Sequence, residues 1–167
     1  MRARLPPTAV ILGAVGLLPF IGLGIAALST VTEPDANRYV FALVAYGAVI
    51  LAFLGGVHWG FVLHPGALPD HMSAEERRDA TRLGLGVLPS LIGWAALMMP
   101  FFALADVGLG VLIVGYLAVL IGEHHMHQRG LLLPTGYMTM RWVLSIVVLA
   151  VLITVLVVRL IGARIIF

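Results

Sequence analysis

The sequence contains no cysteine and no lysine, and it has few charged residues of any kind. Without cysteine the protein can form no disulfide bond, and it has no thiolate to bind a metal or to act as a nucleophile. Charged residues make up 11% of the 167 residues and hydrophobic residues 61%, and the mean hydropathy is +1.08. A soluble domain cannot bury that much apolar surface, so the composition predicts an integral membrane protein in contact with the lipid bilayer.

Motifs of the common enzyme classes are absent as well. The sequence has no Ser-His-Asp spacing, phosphate-binding loop, dinucleotide fingerprint or HExxH motif. The isoelectric point is near 9.5, but the basic residues flank apolar segments and are mixed with acidic ones. That pattern indicates membrane topology and not a nucleic-acid-binding surface. We therefore do not favour an enzyme, we expect no nucleic-acid partner, and we find no cofactor that the sequence requires.

Five apolar stretches follow one another along the chain, at about residues 7–28, 39–63, 83–102, 107–123 and 138–160. Most approach or exceed the ~20 residues that a helix needs to cross ~30 Å of hydrocarbon, and the fourth is marginal. The first is about twice as long as the apolar part of a signal peptide, so we expect a retained anchor. The prediction is an all-α, polytopic bundle of five transmembrane helices, forming one domain over residues 1–167. The polar loop at 65–81 is expected to contain a short surface helix that starts near Ser73.

The distribution of arginine predicts the orientation in the membrane. All ten basic residues are arginine, a usage that suggests a GC-rich bacterial genome. With the N-terminus in the cytoplasm, seven arginines fall on the inner side, and three on the outer side, namely Arg38, Arg159 and Arg164. Because short cytoplasmic loops are enriched in basic residues, this count predicts a bacterial inner-membrane protein with a cytoplasmic N-terminus and a periplasmic C-terminus.

Two phrases in the chain resemble each other. LAFLGGVHW at 51–59 and LAVLIGEHH at 117–125 place His58 and His124 at the same position, and GLLPFIG at 16–22 resembles GVLPSLIG at 86–93. These similarities predict two parallel-repeat hairpins, related by an axis along the membrane normal, plus a fifth helix. Chance similarity between segments rich in Leu, Val, Ala and Gly is the alternative. In a true repeat His58 and His124 would lie at similar depth.

The second and fifth apolar stretches predict how the helices pack. Small residues recur on the second stretch at spacings of three and four, and would let another backbone approach closely: Ala45, Ala48, Ala52, Gly56 and Gly60. The fifth stretch has no glycine and is bulky and β-branched, so we expect it at the periphery, facing lipid or a partner subunit. Pro19 and Pro89 should kink their helices, because each removes one backbone hydrogen bond.

Histidines gather at or near the boundary that the topology places on the cytoplasmic side, at positions 58, 64, 71, 124, 125 and 127. One interpretation is structural, with His58 donating a hydrogen bond to a carboxylate of the fourth helix or to a backbone carbonyl. A second is a ligand site, in which His58 and His124 or His127 bind a transition metal or a haem iron. A third is a relay for protons or solutes through a polar cavity, using Glu123 and the histidines.

The stretches AYGAVILAFLGGVHWG (45–60) and PTGYMTMR (134–141) resemble a family of small multi-pass bacterial inner-membrane proteins of unknown function, with mitochondrial relatives. The resemblance covers essentially the whole chain. Its members often carry an Asp about where His124 stands and a His or Arg at the position of His58, so the resemblance implies an ion pair between a basic and an acidic residue. This chain has Glu123 beside His124. The spacing of Pro134, Tyr137 and Arg141 also fits the family, which supplies no activity.

These patterns favour a non-enzymatic integral membrane protein that acts as an accessory or assembly subunit of a larger membrane complex, or as a homo-oligomer. The alternatives are a metal- or haem-binding protein at the cytoplasmic boundary and a small transporter. A cofactor would be held by His58, His124, Glu123, Tyr137 and Arg141, and a metal by His58, His124 and His127.

Overall fold

The computed structural model describes residues 6–30, 32–62, 75–128 and 136–162. Every regular element in these ranges is helical: α1 (Pro7–Val15), α2 (Leu18–Ser29), α3 (Glu33–Val62), α4 (Glu75–Met98), a 3₁₀ turn (Met99–Phe102), α5 (Ala105–Gln128) and α6 (Tyr137–Leu160). Within the described ranges four segments are long and apolar enough to cross a membrane, namely Pro7–Ser29, Glu33–Gly60, Ala105–Gln128 and Tyr137–Leu160, while the apolar helix Gly86–Phe102 is shorter. The predicted all-helical membrane bundle is confirmed.

Helix boundaries extend beyond the apolar stretches. The helix predicted from residue 39 begins at Glu33, and the helix predicted from residue 83 begins at Glu75. Residues 75–81 therefore belong to α4 and not to a polar loop with its own surface helix; Ser73 and the rest of the predicted loop lie outside the described residues. The difference arises because apolar composition marks where a helix meets hydrocarbon, whereas backbone hydrogen bonding begins earlier, in a polar first turn.

The first apolar segment is divided into α1 and α2 just before Pro19. The chain passes through a tight turn in which Gly16 N donates to Leu12 O (3.0 Å) and Leu17 N donates to Ala14 O (3.1 Å). The Tyr46 hydroxyl of α3 donates to the Gly16 carbonyl at 2.9 Å. A neighbouring helix thus supplies the hydrogen bond at the break, as such interruptions require inside a membrane. Pro89, in contrast, lies inside a continuous α4.

The hydrophobic core takes buried side chains from α2 to α6. The expectation that the fifth predicted helix is peripheral was wrong, because α6 buries Val148, Leu149, Leu152 and Val155. These residues recur at helical spacing on one face of α6, and the opposite face is exposed. The β-branched composition of α6 therefore says little about its position: one stripe packs inside and the other faces outward.

Close approach between α3 and α4 depends on glycine. A Cβ added at Gly55 would overlap the carbonyl oxygen of Gly86, and a Cβ added at Gly93 would lie 2.9 Å from the carbonyl oxygen of Ala48. The two backbones are therefore in direct contact at points about two helical turns apart. Such contact is the usual way in which membrane helices gain packing energy without a hydrophobic driving force.

The predicted small-residue stripe is correct at Ala48, which is buried, but wrong at Gly56 and Gly60. Both glycines are exposed, and an added Cβ at either would meet nothing within 4 Å. The buried stripe of α3 instead runs through Ala48, Leu51, Gly55 and His58. Of the adjacent glycines 55 and 56, composition alone gave no reason to choose the first.

We expect Gly55→Ala to destabilise the bundle and Gly56→Ala to leave it intact. The added methyl at position 55 overlaps backbone, which should cost about 1–3 kcal/mol of unfolding free energy, as overpacking does. The same change at position 56 enters open space and should be neutral, or stabilising by up to ~1 kcal/mol through helix propensity. Thermal unfolding of both variants in one detergent measures this difference, and equal melting temperatures would contradict the α3–α4 contact.

Candidate functional site

Three ionisable side chains from three helices meet inside the bundle: His58 of α3, Glu123 of α5 and Arg141 of α6. Arg141 Nε donates to Glu123 Oε2 at 2.7 Å, and Arg141 Nη2 donates to Glu123 Oε1 at 3.0 Å. His58 Nε2 lies 3.5 Å from Glu123 Oε1. The three residues are 6%, 3% and 5% exposed, respectively. We call this group the ionic cluster.

Local structure explains how the three side chains meet. His58 and Glu123 each lie about one turn from the end of their helix, and Arg141 lies one turn after the start of α6. Helix α6 follows Gly136, whose φ of 90° is readily adopted only by glycine. The chain thus turns and re-enters the bundle beside α5 with Arg141 facing Glu123. The motif at 134–141 contains this glycine together with Tyr137 and Arg141.

The Arg141–Glu123 interaction is the strongest part of the ionic cluster. A guanidinium presents two parallel N–H groups to both carboxylate oxygens, which is the geometry of strong charge-assisted pairs. The His58 contact is longer than an ordinary hydrogen bond and contributes less. Transfer of either charge out of water is expensive, so each partner is stable at this depth only because the other is present.

A buried ion pair lies close to the positions that the family resemblance implies, but its residues differ from the implied ones. Its acidic member is Glu123, one residue before His124, and its main basic partner is Arg141 of α6, with His58 of α3 as the weaker contact. Three helices are therefore joined at one carboxylate. Tyr137 lies one turn before Arg141 on the same helix and is half-buried.

The remaining candidate histidines face other groups. The His124 ring packs edge-on against Trp142, with centroids 5.8 Å apart, and its Nε2 is 3.0 Å from Gln128 Nε2. The buried Nδ1 atoms of His124 and His127 have no hydrogen-bond partner among the described residues. In that same part of the chain no group of three His, Asp or Glu side chains is close enough to hold a metal ion. The structure brings His58 to Glu123, and the repeat that would relate His58 to His124 stays a prediction.

A cavity of about 90 Å³ adjoins the ionic cluster between α3, α4 and α5. His58 and Glu123 supply its polar wall, and side chains such as Pro89, Ile92 and Met126 supply the apolar remainder. It is large enough for several water molecules but too small for a typical ligand pocket.

A second ion pair, which the sequence analysis missed, joins the same two helices at their other end. Arg159 Nε of α6 donates to Asp106 Oδ1 of α5 at 2.5 Å, and Arg159 Nη2 donates to Asn37 Oδ1 of α3 at 3.0 Å. The sequence contains a signal for this pair. Apart from histidine, the charged residues are Asp106 and Glu123 on α5, and Arg141 and Arg159 on α6. When two such helices pack antiparallel, each acidic residue of α5 lies opposite an arginine of α6.

Fold and site together define a multi-pass integral membrane protein whose buried charges are paired across helices. The chain belongs to a family described as protein of unknown function (DUF3429), whose family model matches residues 5–157. The family resemblance drawn from the two motifs is thus confirmed.

Two relatives carry the name transmembrane protein 69. The chain is 41% identical over 93 residues to the protein of Xenopus tropicalis, a match that covers 56% of this chain and 33% of that protein. It is 36% identical over 93 residues to the protein of Mus musculus, covering 56% of this chain and 34% of that protein. The matches thus span about a third of the length of these curated relatives. No solved structure matches the chain.

Removal of the Arg141 charge should be far more costly than removal of an exposed arginine. We expect Arg141→Met to lower the unfolding free energy by about 3–5 kcal/mol, because Glu123 is left buried without its main partner. The double variant Glu123→Met/Arg141→Met should recover most of that loss. Arg38→Met is the matched control, since Arg38 pairs with Asp35 but its side chain is 81% exposed; it should cost about 0–1 kcal/mol. Unfolding in detergent measures all three, and equal losses at positions 141 and 38 would contradict the assignment.

Proposed function

We propose that this protein is a non-enzymatic structural component of the bacterial inner membrane, acting as an accessory or assembly subunit of a larger complex or as a homo-oligomer. The ionic cluster is the observation that carries this proposal. Ionisable residues inside a membrane protein either pair with one another or serve a pathway for ions or solutes. Here both oxygens of Glu123 accept hydrogen bonds from Arg141, and His58 Nε2 lies 3.5 Å from Glu123 Oε1, so pairing accounts for the three ionisable side chains.

A rigid bundle of this kind suits a protein that presents a surface. The cluster joins α3, α5 and α6 at one end, and the Arg159–Asp106 pair joins α5 and α6 at the other. The outward face of α6 is left as a continuous apolar stripe of Val143, Ile146, Ile153, Val157 and Leu160. Lipid tails or the helices of another subunit can pack on such a face.

The proposed topology places the ionic cluster at the cytoplasmic boundary and the Arg159–Asp106 pair at the periplasmic boundary. It is supported by the arginine count in the short connections. The course of the helices puts the two groups at opposite ends of the bundle, because α3 ends, α5 ends and α6 begins at the same end.

A second candidate function rests on the cavity beside His58 and Glu123. A polar wall next to a space for water is what a relay of protons or small solutes requires, and such a relay is one of the three interpretations of Glu123 and the histidines. A metal or haem site would use the same end of the bundle, with His58, His124 and His127. Stoichiometric iron, copper or zinc in the purified protein would favour that site over the structural role.

If the face of α6 contacts another protein, a cysteine placed there should form a crosslink. Because the chain has no cysteine, Ile146→Cys introduces a single reactive thiol at a position that is 56% exposed. We expect bismaleimide treatment of native membranes to give a dimer of the chain, or one discrete larger product. Val114→Cys on α5, at 65% exposure, is the control and should stay monomeric. A product at neither position would contradict an assembly role, and a product only at position 114 would exclude the α6 face.

Labelling from outside the cell tests the topology. Thr32→Cys, at the exposed start of α3, should react with a membrane-impermeant maleimide in intact cells. Ser73→Cys, in the predicted cytoplasmic loop, should react only after the cells are permeabilised. The opposite pattern would reverse the proposed orientation.

A further inference from the structure

A polar pocket lies at the end of the bundle opposite to the ionic cluster. Its volume is about 270 Å³, and it lies where α2 and α6 end and where α3 and α5 begin. Its described lining includes the polar residues Thr30, Glu33, Asp106 and Arg159, together with apolar residues such as Leu28 and Val158. The proposed structural function makes no use of this pocket.

The charges in the pocket have both signs. Arg159 gives two of its five N–H donors to Asp106 and Asn37, and its side chain is 18% exposed, so the guanidinium is held in place but still accessible. The Asp106 side chain is 40% exposed and accessible from the same side. With Glu33 also in the wall, the described lining of the pocket includes one cationic side chain and two carboxylates. Such a site fits a molecule that carries an anionic group for the arginine and an ammonium group for the carboxylates.

The type of ammonium group follows from the residues in the wall. Carboxylates bind an ammonium best when it has N–H groups to donate. Quaternary ammonium groups are instead recognised by aromatic rings, and among the residues that the structure describes the pocket wall contains no aromatic side chain. The pocket therefore favours a primary amine over a trimethylated one.

The surroundings indicate that the ligand is a lipid. Apolar side chains within a turn of the pocket point outward on α2 and just after the end of α6, namely Ile25, Leu160 and Ile161, which are 57%, 69% and 70% exposed. Ile25 precedes Ala27 of the pocket wall by two residues, and Leu160 and Ile161 lie between Arg159 and Gly162 of that wall. These exposed apolar side chains therefore lie beside the pocket on α2 and at the end of α6, two helices that pack against each other. Acyl chains can lie against them while the headgroup enters the polar wall.

We propose that this pocket binds the headgroup of a phosphatidylethanolamine molecule, with the phosphate on Arg159 and the ammonium group between Asp106 and Glu33. The binding anchors the outer ends of α2, α3, α5 and α6 at headgroup depth. It is independent of the proposed subunit role, and either can hold without the other.

Competition between lipids within one sample tests the proposal. The full chain is reconstituted in nanodiscs of phosphatidylethanolamine and phosphatidylcholine with matched acyl chains, in equimolar amounts, and the retained lipid is measured by native mass spectrometry. We expect the ethanolamine lipid to be enriched about tenfold, the scale set by one charge-assisted hydrogen bond. Enrichment should fall stepwise with the mono- and dimethylated headgroups. Equal retention of the two lipids would overturn the proposal.

Variants assign the effect to the pocket. Asp106→Asn and Glu33→Gln should each reduce the enrichment several-fold. Asp35→Asn should not, because Asp35 lies at the same end of the bundle but pairs with Arg38 and Thr32 and is not part of the pocket wall. Since the readout is a ratio between two lipids, a loss of stability that releases both does not imitate the effect. Enrichment that survives both pocket variants would overturn the assignment.

An experiment with the free headgroup distinguishes a lipid ligand from a soluble ligand of the same chemistry. Free phosphoethanolamine, added in excess to the protein in phosphatidylcholine nanodiscs, should raise the melting temperature by less than phosphatidylethanolamine does. An equal or larger shift would overturn the lipid assignment in favour of a soluble ligand.

Discussion

The bundle depends on one electrostatic constraint, which is that a carboxylate inside a membrane protein must be paired. Glu123 is 3% exposed, and in that environment an isolated negative charge would not persist. Its pairing with Arg141 sets the position of α6 against α5, and its contact with His58 brings in α3. The direction in which the chain re-enters the bundle after Gly136 follows from the same requirement, because Arg141 must reach the carboxylate within the first turn of α6.

The second ion pair, Arg159–Asp106, fixes the register of α6 against α5. Asp106 and Glu123 are 17 residues apart on α5, and Arg141 and Arg159 are 18 residues apart on α6. At 1.5 Å per residue these separations correspond to ~26 Å, close to the thickness of the hydrocarbon core. A slip of one turn between the two helices would break both pairs at once. The two ends nevertheless differ in environment, since the side chains of the ionic cluster are buried beside a small cavity, whereas Arg159 lines a larger, accessible polar pocket.

Composition does not determine which face of a helix packs against its neighbour. Small residues on α3 were recognised from the sequence, but adjacent residues of a helix point about 100° apart, and only the partner decides which of them is covered. Gly55 packs directly against the backbone of Gly86, whereas a Cβ added at Gly56 would have no neighbouring atom within 4 Å. The same reason explains α6, whose β-branched residues looked peripheral although one of its faces is part of the core.

The sequence by itself determined the class of protein, the all-helical architecture, the approximate position of each helix and the family, because all four follow from composition, apolar length and short motifs. It also pointed to His58, Glu123 and Arg141 as residues of interest. Only the tertiary structure decided that Arg141 is the main partner of Glu123, that His124 packs against Trp142 instead, and that Arg159 has a partner at the opposite end. These contacts join residues that are far apart in the chain or on different helix faces, and the rotation and register of neighbouring helices are set by the packing of all of them together.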